Sequence, residues 1–409
     1  MNILLINHYA GSNKHGMEYR PYYLAKEWVN NGHNVTIVAA SFSHVRSIQP
    51  NINQLWTEEN VDGIRYIWLQ TPKYQGNGFG RVKNMLTFIR LLYKFKNKLI
   101  QVSNPDVVIA SSTYPLDIFP ANSIAKKTKA QLIYEVHDLW PLSPMILGNM
   151  SPYHPFIVTM QIAENFAYKN CDKVVSLLPK ALSHMEKHGL SKEKFYYIPN
   201  GINLGEWKAE VEEIPKELKE RIEDLRNKGY FLLGYAGSHG VANALKYLIE
   251  AMKEVNSEKI ALILVGKGVE KENLIQQARK LKLNNVYFFD FIPKKSIPSF
   301  LKEMDVLYIG LDKSPQYQCG VRPNKLFDDM IAKKPILHAT AAGNDLVKES
   351  GCGLSIEPEN PLAIVSGLKN LMKKPKAELE EMGRKGHSYI IEHHDYCRIA
   401  DNFIEVIEK

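Results

Sequence analysis

Cysteine is scarce: four residues in 409, at positions 171, 319, 352 and 397, with no C-x-x-C pair. That excludes a disulfide framework and a cysteine zinc site, and it fits a reducing cytoplasm. No apolar run approaches the roughly 20 residues of a membrane span. The opening stretch from Met1 to Asn7 is apolar but short and has no basic segment before it, so it reads as a first strand rather than a secretory signal. G-x-G-x-x-G, Walker A, H-E-x-x-H, G-x-S-x-G and D-x-D patterns are all missing. Nicotinamide dinucleotide, P-loop, zincin and serine-hydrolase chemistries fall away with them. No two acids stand out at facing strand ends, which leaves paired-carboxylate glycoside hydrolysis without support.

What remains is a chain too long for one ordinary α/β core, so two domains are expected. A net charge of +8 points to an anionic partner: a nucleotide, nucleic acid or an acidic membrane face. No recognisable nucleic-acid module accompanies it.

Apolar strand-like runs alternate with helical patterns almost from end to end, the signature of parallel sheets with crossover helices. The first series of strands is Ile3–Asn7, Asn34–Ala39, Ile64–Leu69, Asp106–Ala110, Leu132–Glu135, Lys173–Leu177 and Tyr196–Ile198. The second is Phe231–Ala236, Ile260–Val265, Val286–Phe289, Val306–Leu311, Pro335–His338 and Gly353–Ile356. The expected fold class is therefore α/β, with two Rossmann-like parallel-sheet domains, residues 1–200 and 210–393. In such sheets ligands bind outside the carboxyl ends of the strands, so two halves facing each other imply a cleft. The last pattern, Leu379 to Lys409, is helical with a polar break at His393–Asp395, and residues 394–409 are expected to pack back on the first domain.

The stretch Cys319 to Met330 (C-G-V-R-P-N-K-L-F-D-D-M) follows an apolar strand and opens a helix at Pro323. Free N–H groups at such a helix start attract phosphate. Arg322 and Lys325 add positive charge, and Asp328 offers an acceptor for a hydroxyl. Gly320, Val321 and Asn324 complete the expected site, which suits a sugar-nucleotide diphosphate. Three other strand ends converge on it: Gly237-Ser238-His239-Gly240, Gly266-Lys267-Gly268, and Phe291-Ile292 within F-D-F-I-P. In the first half, a polar loop runs from Asn7 to Gly16, and Glu135-Val-His137-Asp138 sits at a strand's carboxyl end. A histidine there can hydrogen-bond a substrate hydroxyl or take part in proton transfer.

Arg81 to Val102 carries six Lys or Arg and no acid, with Met85, Phe88, Ile89, Leu92, Phe95 and Leu99 as one helical stripe, widened by Leu86 and Leu91. It reads equally as a crossover helix and as a basic surface for an anionic membrane.

Taken in order, the Asn7–Gly16 loop, E-V-H-D-L-W-P, P-N-G-I-N, Y-A-G-S-H-G, L-V-G-K-G and R-P-N-K-L-F-D-D-M resemble glycosyltransferase family 4, retaining enzymes of the GT-B fold. The branch most similar is the bacterial O-antigen and capsule group that includes N-acetyl-L-fucosaminyltransferases. The resemblance implies a nucleotide-diphosphate sugar, UDP being the expected nucleotide, held mainly by the second domain. It implies no metal and no cofactor. His137 is similar in position to the family's active-site histidine, and Asp328 to the glutamate that holds the ribose. Gly320 replaces the family's other glutamate. The family's phosphate-binding arginine and lysine fall on Ser238 and Asn243, so Arg322 and Lys325 are expected to compensate as catalytic residues. Gly16, Gly237, Ser238, His239, Gly240, Gly266, Phe291, Ile292, Gly320, Val321, Asn324 and Asp328 are expected to contact donor or nucleotide. The implied activity is transfer of a sugar, an N-acetylated amino sugar among the candidates, to a glycan or polyprenyl-linked acceptor, in the cytoplasm or peripherally at the inner membrane face. A sugar-nucleotide epimerase and a non-enzymatic membrane-associated scaffold are the alternatives.

Overall fold

The computed structural model describes residues 1–208, 211–321 and 324–409, and the chain divides into two compact units. One comprises Met1–Gly201 with Tyr396–Lys409, the other Ile202–Asp395.

The first unit is built on eight strands: β1 (Asn2–Ile6), β2 (Asn34–Ala40), β3 (Trp56–Val61), β4 (Ile64–Leu69), β5 (Val107–Ala110), β6 (Gln131–Val136), β7 (Lys173–Ser176) and β8 (Phe195–Tyr197). They lie in the order β3-β4-β2-β1-β5-β6-β7-β8. β1, β2 and β5 are buried almost throughout, as parallel strands covered on both faces must be. β3 departs from the all-parallel expectation and was not among the anticipated strands. It pairs antiparallel with β4; Trp56 and Val61 at its ends are buried, and between them half-buried and exposed residues alternate as on an edge strand. Asp62 and Gly63 join the two at φ of 52° and 83°. Two consecutive positive φ values give the tight hairpin turn that matches strand twist, and Asp-Gly is its sequence signal.

The basic segment is also different from the single helix anticipated. It forms two helices, Phe79–Lys94 and Lys96–Ser103, which meet at Phe95. Met85, Phe88, Leu92 and Leu99 are buried as expected, with Leu91 beside them. Leu86 lies on the wet side instead, with Phe79 and Tyr93 at seven-residue spacing.

The C-terminal pattern resolves into two helices, Lys376–His393 and Tyr396–Glu408. The return to the first unit begins at Tyr396, two residues later than expected, because His394 is held in the second unit. Its ring lies 4.7 Å from that of Phe327 and its carbonyl accepts from Ile202 N–H at 2.8 Å. The final helix packs on the helix Arg20–Asn30: Trp28 meets Phe403 edge to face at 5.2 Å and donates to Ala400 O at 3.1 Å. Tyr396 donates to Asn200 Oδ1 at 2.8 Å.

The second unit carries six parallel strands: β9 (Phe231–Ala236), β10 (Ile260–Val265), β11 (Val286–Phe289), β12 (Val306–Gly310), β13 (Ile336–Ala339) and β14 (Gly353–Ile356). Their order is β11-β10-β9-β12-β13-β14. The direction of winding reverses between β9 and β12, which is where such sheets open a crevice.

Phe403 is fully buried against Trp28. Phe403→Ala is expected to cost about 3–5 kcal/mol in the first unit. Thermal unfolding followed by circular dichroism should show an early transition that the exposed Arg398→Ala control lacks.

Candidate active site

In the second unit, the loops after β9, β10 and β11 and the helix Asn324–Ile331 after β12 enclose a cavity of about 380 Å³. Gly237, Ser238, Gly266, Phe291, Ile292, Lys325 and Asp328 line it, with Lys267, Lys294 and Asp329. The loops fit only because of glycine. A Cβ on Gly266 would lie 1.9 Å from Gly237 O, and one on Gly268 would lie 2.4 Å from His239 O. Gly237 has φ of 155°, and a Cβ there would meet Lys325 Cδ at 2.7 Å, so its bareness is what admits the lysine stem.

Lys325 Nζ donates to Tyr235 OH at 2.9 Å and to Asn243 Oδ1. Tyr235 OH donates onward to Ser238 O at 2.6 Å, and Asn243 Nδ2 donates to the same oxygen at 2.9 Å. An ammonium has three protons, so one is left over. Burial, only partly opposed by Asp329, brings the Lys325 pKa down to about 8. Burial also pushes the Asp328 carboxyl up to about 6 against the pull of Lys294. Asp329, deeper still and beside Asp328, is held well above the ordinary carboxylate range.

Other anticipated residues are placed differently. The backbone N–H groups of Gly320 and Val321, both expected to contact the donor, are already engaged. Gly320 N–H donates to Tyr317 O at 3.0 Å, closing a 3₁₀ turn, and Val321 N–H donates to Asn344 Oδ1 at 2.7 Å. Asn324 is exposed at the helix start. His239 is wholly buried under the glycine loop rather than on the cavity wall, and burial with Lys271 and Lys325 nearby lowers its pKa to about 4. Gly240 belongs to the same loop without lining the cavity. Arg322 and Pro323 lie outside the described residues. Gly16 belongs to the first unit, where its φ of 91° closes the loop on Ser12. Tyr235, Asn344 and Lys294 were not anticipated. Lys294, directly after F-I-P, carried the only readable signal, a cation at a strand end.

The first unit gathers a second polar cluster at the carboxyl ends of β1, β5 and β6. His137 Nε2 lies 3.1 Å from Glu135 Oε2 and 2.9 Å from Ser111 Oγ. Ser111 O–H donates to Glu135 Oε2 at 2.6 Å, and Asn7 Nδ2 donates to Ser111 O at 2.6 Å. Arg20 pairs with Glu135 Oε1 at 3.0 Å, both side chains being fully buried. Burial alone would raise the Glu135 pKa; Arg20, His137 and Ser111 outweigh it and bring it to about 2. Glu135 is therefore an ionised, acceptor-only group, so the His137 nitrogen that faces it, Nε2, carries a proton and Nδ1 is the ring atom turned away from it. Nδ1 has no hydrogen-bond partner among the described residues. Glu135 was within reach of sequence reasoning, since residues i and i+2 of a strand share a face.

Comparison with known proteins agrees with this architecture. Residues 15–206 match the profile of Glycosyltransferase Family 4, and residues 230–374 match Glycosyl transferases group 1. The probable glycosyltransferase WbjE of Pseudomonas aeruginosa is 24% identical over 280 residues, 66% of this chain and 68% of that one. HepE of Anabaena, solved in complex with UDP and glucose, superposes over 100% of both chains with a TM-score of 0.66 at 16% identity. WaaG, a glycosyltransferase involved in lipopolysaccharide biosynthesis, covers 99% of both with a TM-score of 0.64 at 16% identity. The structural likenesses are likenesses of fold, the GT-B arrangement. With Family 4 matched over the first half and group 1 over the second, in chain order, the chain is a GT4-family glycosyltransferase.

Proposed function

We propose that the chain is a retaining, metal-independent glycosyltransferase. Its second unit binds a UDP-linked sugar, and its first unit holds a glycan or polyprenyl-linked acceptor in the assembly of surface polysaccharide such as O-antigen or capsule. The observation that carries this reading is the Lys325 ammonium, fixed by Tyr235 and Asn243 at the wall of the cavity with a proton to spare. HepE binds UDP and glucose, and WaaG acts in lipopolysaccharide biosynthesis, which supports both the donor class and the pathway class. An N-acetylated amino sugar is the first donor to try.

In this reading the phosphate-binding lysine expected at position 243 has been replaced from across the pocket. Asn243 now holds the ammonium of Lys325, and Lys267 and Lys294 add charge on the same wall. The acceptor oxygen forms its bond to the anomeric carbon on the face from which the nucleoside diphosphate departs. The carbon–oxygen bond to the β-phosphate breaks, and the acceptor's proton passes to the departing phosphate oxygen. Lys325 stabilises the charge that grows there more than it stabilises the bound donor, because it needs no reorganisation. Asp328 accepts from the ribose hydroxyls. His137 offers Nδ1 to a sugar hydroxyl in the orientation that Glu135 imposes.

A basic, partly apolar helix face supports a peripheral membrane position. Phe79, Leu86 and Tyr93 are exposed along the helix Phe79–Lys94, interleaved with Lys83, Arg90 and Lys94, and each such charge near an anionic surface contributes about 1 kcal/mol.

Incubation with UDP-sugars and a lipid-linked acceptor, with nuclear magnetic resonance of the product anomer, tests the reaction; an inverted product overturns it. Donor affinity should follow a bell in pH. Asp328, its pKa raised to about 6, loses its acceptor charge below that pH. Lys325, lowered to about 8, loses its ammonium above that. Calorimetry with UDP should show the acid limb vanish in Asp328→Asn. Lys325→Ala should weaken UDP by about 2 kcal/mol, roughly thirtyfold. His137→Ala should lower kcat/KM at least about tenfold while leaving UDP affinity alone. Sedimentation with phosphatidylglycerol vesicles should carry down the wild type, and Leu86→Glu should reduce the bound fraction; equal binding would remove the membrane role.

A further inference from the structure

Apart from the His137 network, Glu164, His184 and His188 converge where two helices of the first unit touch. Glu164 belongs to the helix Pro155–Asn170; His184 lies in the helix Leu182–Lys187, and His188 follows one turn later as its cap. One ligand atom from each of the three lies within 4.8 Å of the others. Glu164 Oε1 is 3.3 Å from His184 Nε2, and the two imidazole centroids are 4.6 Å apart. Glu164 is buried to 1% exposure, and among the described residues no Lys or Arg pairs with it. His184, at 17%, leaves a path to solvent.

Polar groups crowd around this cluster. Gln161 Nε2 lies 2.7 Å from Glu164 Oε2, 2.8 Å from Asn165 Oδ1 and 2.9 Å from His188 Nδ1. Tyr168 O–H donates to Glu164 Oε1 at 2.9 Å. A buried carboxylate and two imidazoles thus face one place, each with a nitrogen or oxygen able to act as a ligand.

We infer that Glu164, His184 and His188 form a binding site for one divalent transition-metal ion of the zinc class. Two nitrogen ligands and one carboxylate oxygen suit Zn²⁺, Co²⁺, Ni²⁺ or Cu²⁺ and disfavour Mg²⁺ and Ca²⁺, which prefer oxygen alone. Bonds of about 2.0–2.2 Å to a tetrahedral ion set neighbouring ligand atoms about 3.3 Å apart. Glu164 and His184 already stand at 3.3 Å, and His188 closes the site from the helix end. Tyr168 and Gln161 hold the carboxylate from behind, as outer partners of metal ligands do. Three protein ligands leave a fourth position for water. The ion would tie the segment after β7 to the helix before it, and it shares no residue with the donor cavity or the His137 network. Its role is structural, and the proposed transfer needs no metal at this site.

The test uses the full chain after chelator treatment, titrated with Co²⁺, Zn²⁺ and Mg²⁺. The expected result is one Co²⁺ per chain with the visible absorption of a nitrogen- and oxygen-bound tetrahedral ion. Zn²⁺ should raise the unfolding midpoint and Mg²⁺ should not. His184→Ala with His188→Ala should weaken Zn²⁺ about a hundredfold or more, with circular dichroism confirming the fold. Absence of Co²⁺ absorption, a thiolate-to-metal band, an equal shift with Mg²⁺, or zinc binding that survives the double substitution would each overturn the assignment. The wild-type spectrum decides even if the double variant does not fold.

Discussion

A single ammonium, that of Lys325, organises the donor cavity. Placing a cation in a buried position opposes its charge, and the protein answers with two neutral oxygens, Tyr235 OH and Asn243 Oδ1, rather than with a tight counter-ion. Neutral partners hold the group in place without cancelling it, so its charge remains available to an anion. The surrounding geometry follows from this. Gly237 must lack a Cβ for the lysine stem to pass, Gly266 must lack one for its loop to lie against Gly237, and Tyr235 must turn its hydroxyl toward Ser238.

The first unit handles buried charge in the opposite way. Arg20 and Glu135 are paired, and Glu135 in turn holds the ring of a third group, His137. Removing one member of such a pair leaves its partner buried and uncompensated, typically a loss of about 3–5 kcal/mol. The network therefore couples the ring orientation of His137 to the integrity of the unit. One unit keeps its charge uncommitted and the other commits it, and each choice suits what the group is asked to do.

Much of this was readable in the sequence. Runs such as I-A-L-I-L-V, buried on both faces in β10, could only be central parallel strands. The glycines at their ends pointed to the cavity, and Lys325, Asp328, Phe291 and Ile292, expected at the site from their places at strand ends and a helix start together with the family resemblance, line it. The misses have physical causes. β3 hides because four of its six side chains, Thr57 to Asn60, are polar, as befits an edge. That the Gly320 and Val321 amides are engaged was hidden because their acceptors, Tyr317 O and Asn344 Oδ1, come from a local turn and a distant loop. His239 carries a polar side chain yet is buried, since the close approach of two glycine loops roofs it over. Glu164 and the paired histidines are some 20 residues apart, and only the fold brings them together.

The last helix has a consequence for how the molecule is made. Its buried face, Ile399, Phe403, Val406 and Ile407, completes the layer over Trp28 and Tyr23, residues that precede the whole second unit in the chain. Until the helix Tyr396–Glu408 has been made, that apolar surface lacks its cover, although the strands beneath it precede the second unit. Domains usually fold in the order in which they are translated. Here the first to be translated is the last to be sealed, and the interval spans the entire synthesis of the second unit. A chain lacking the helix Tyr396–Glu408 would keep a first unit with an open hydrophobic flank.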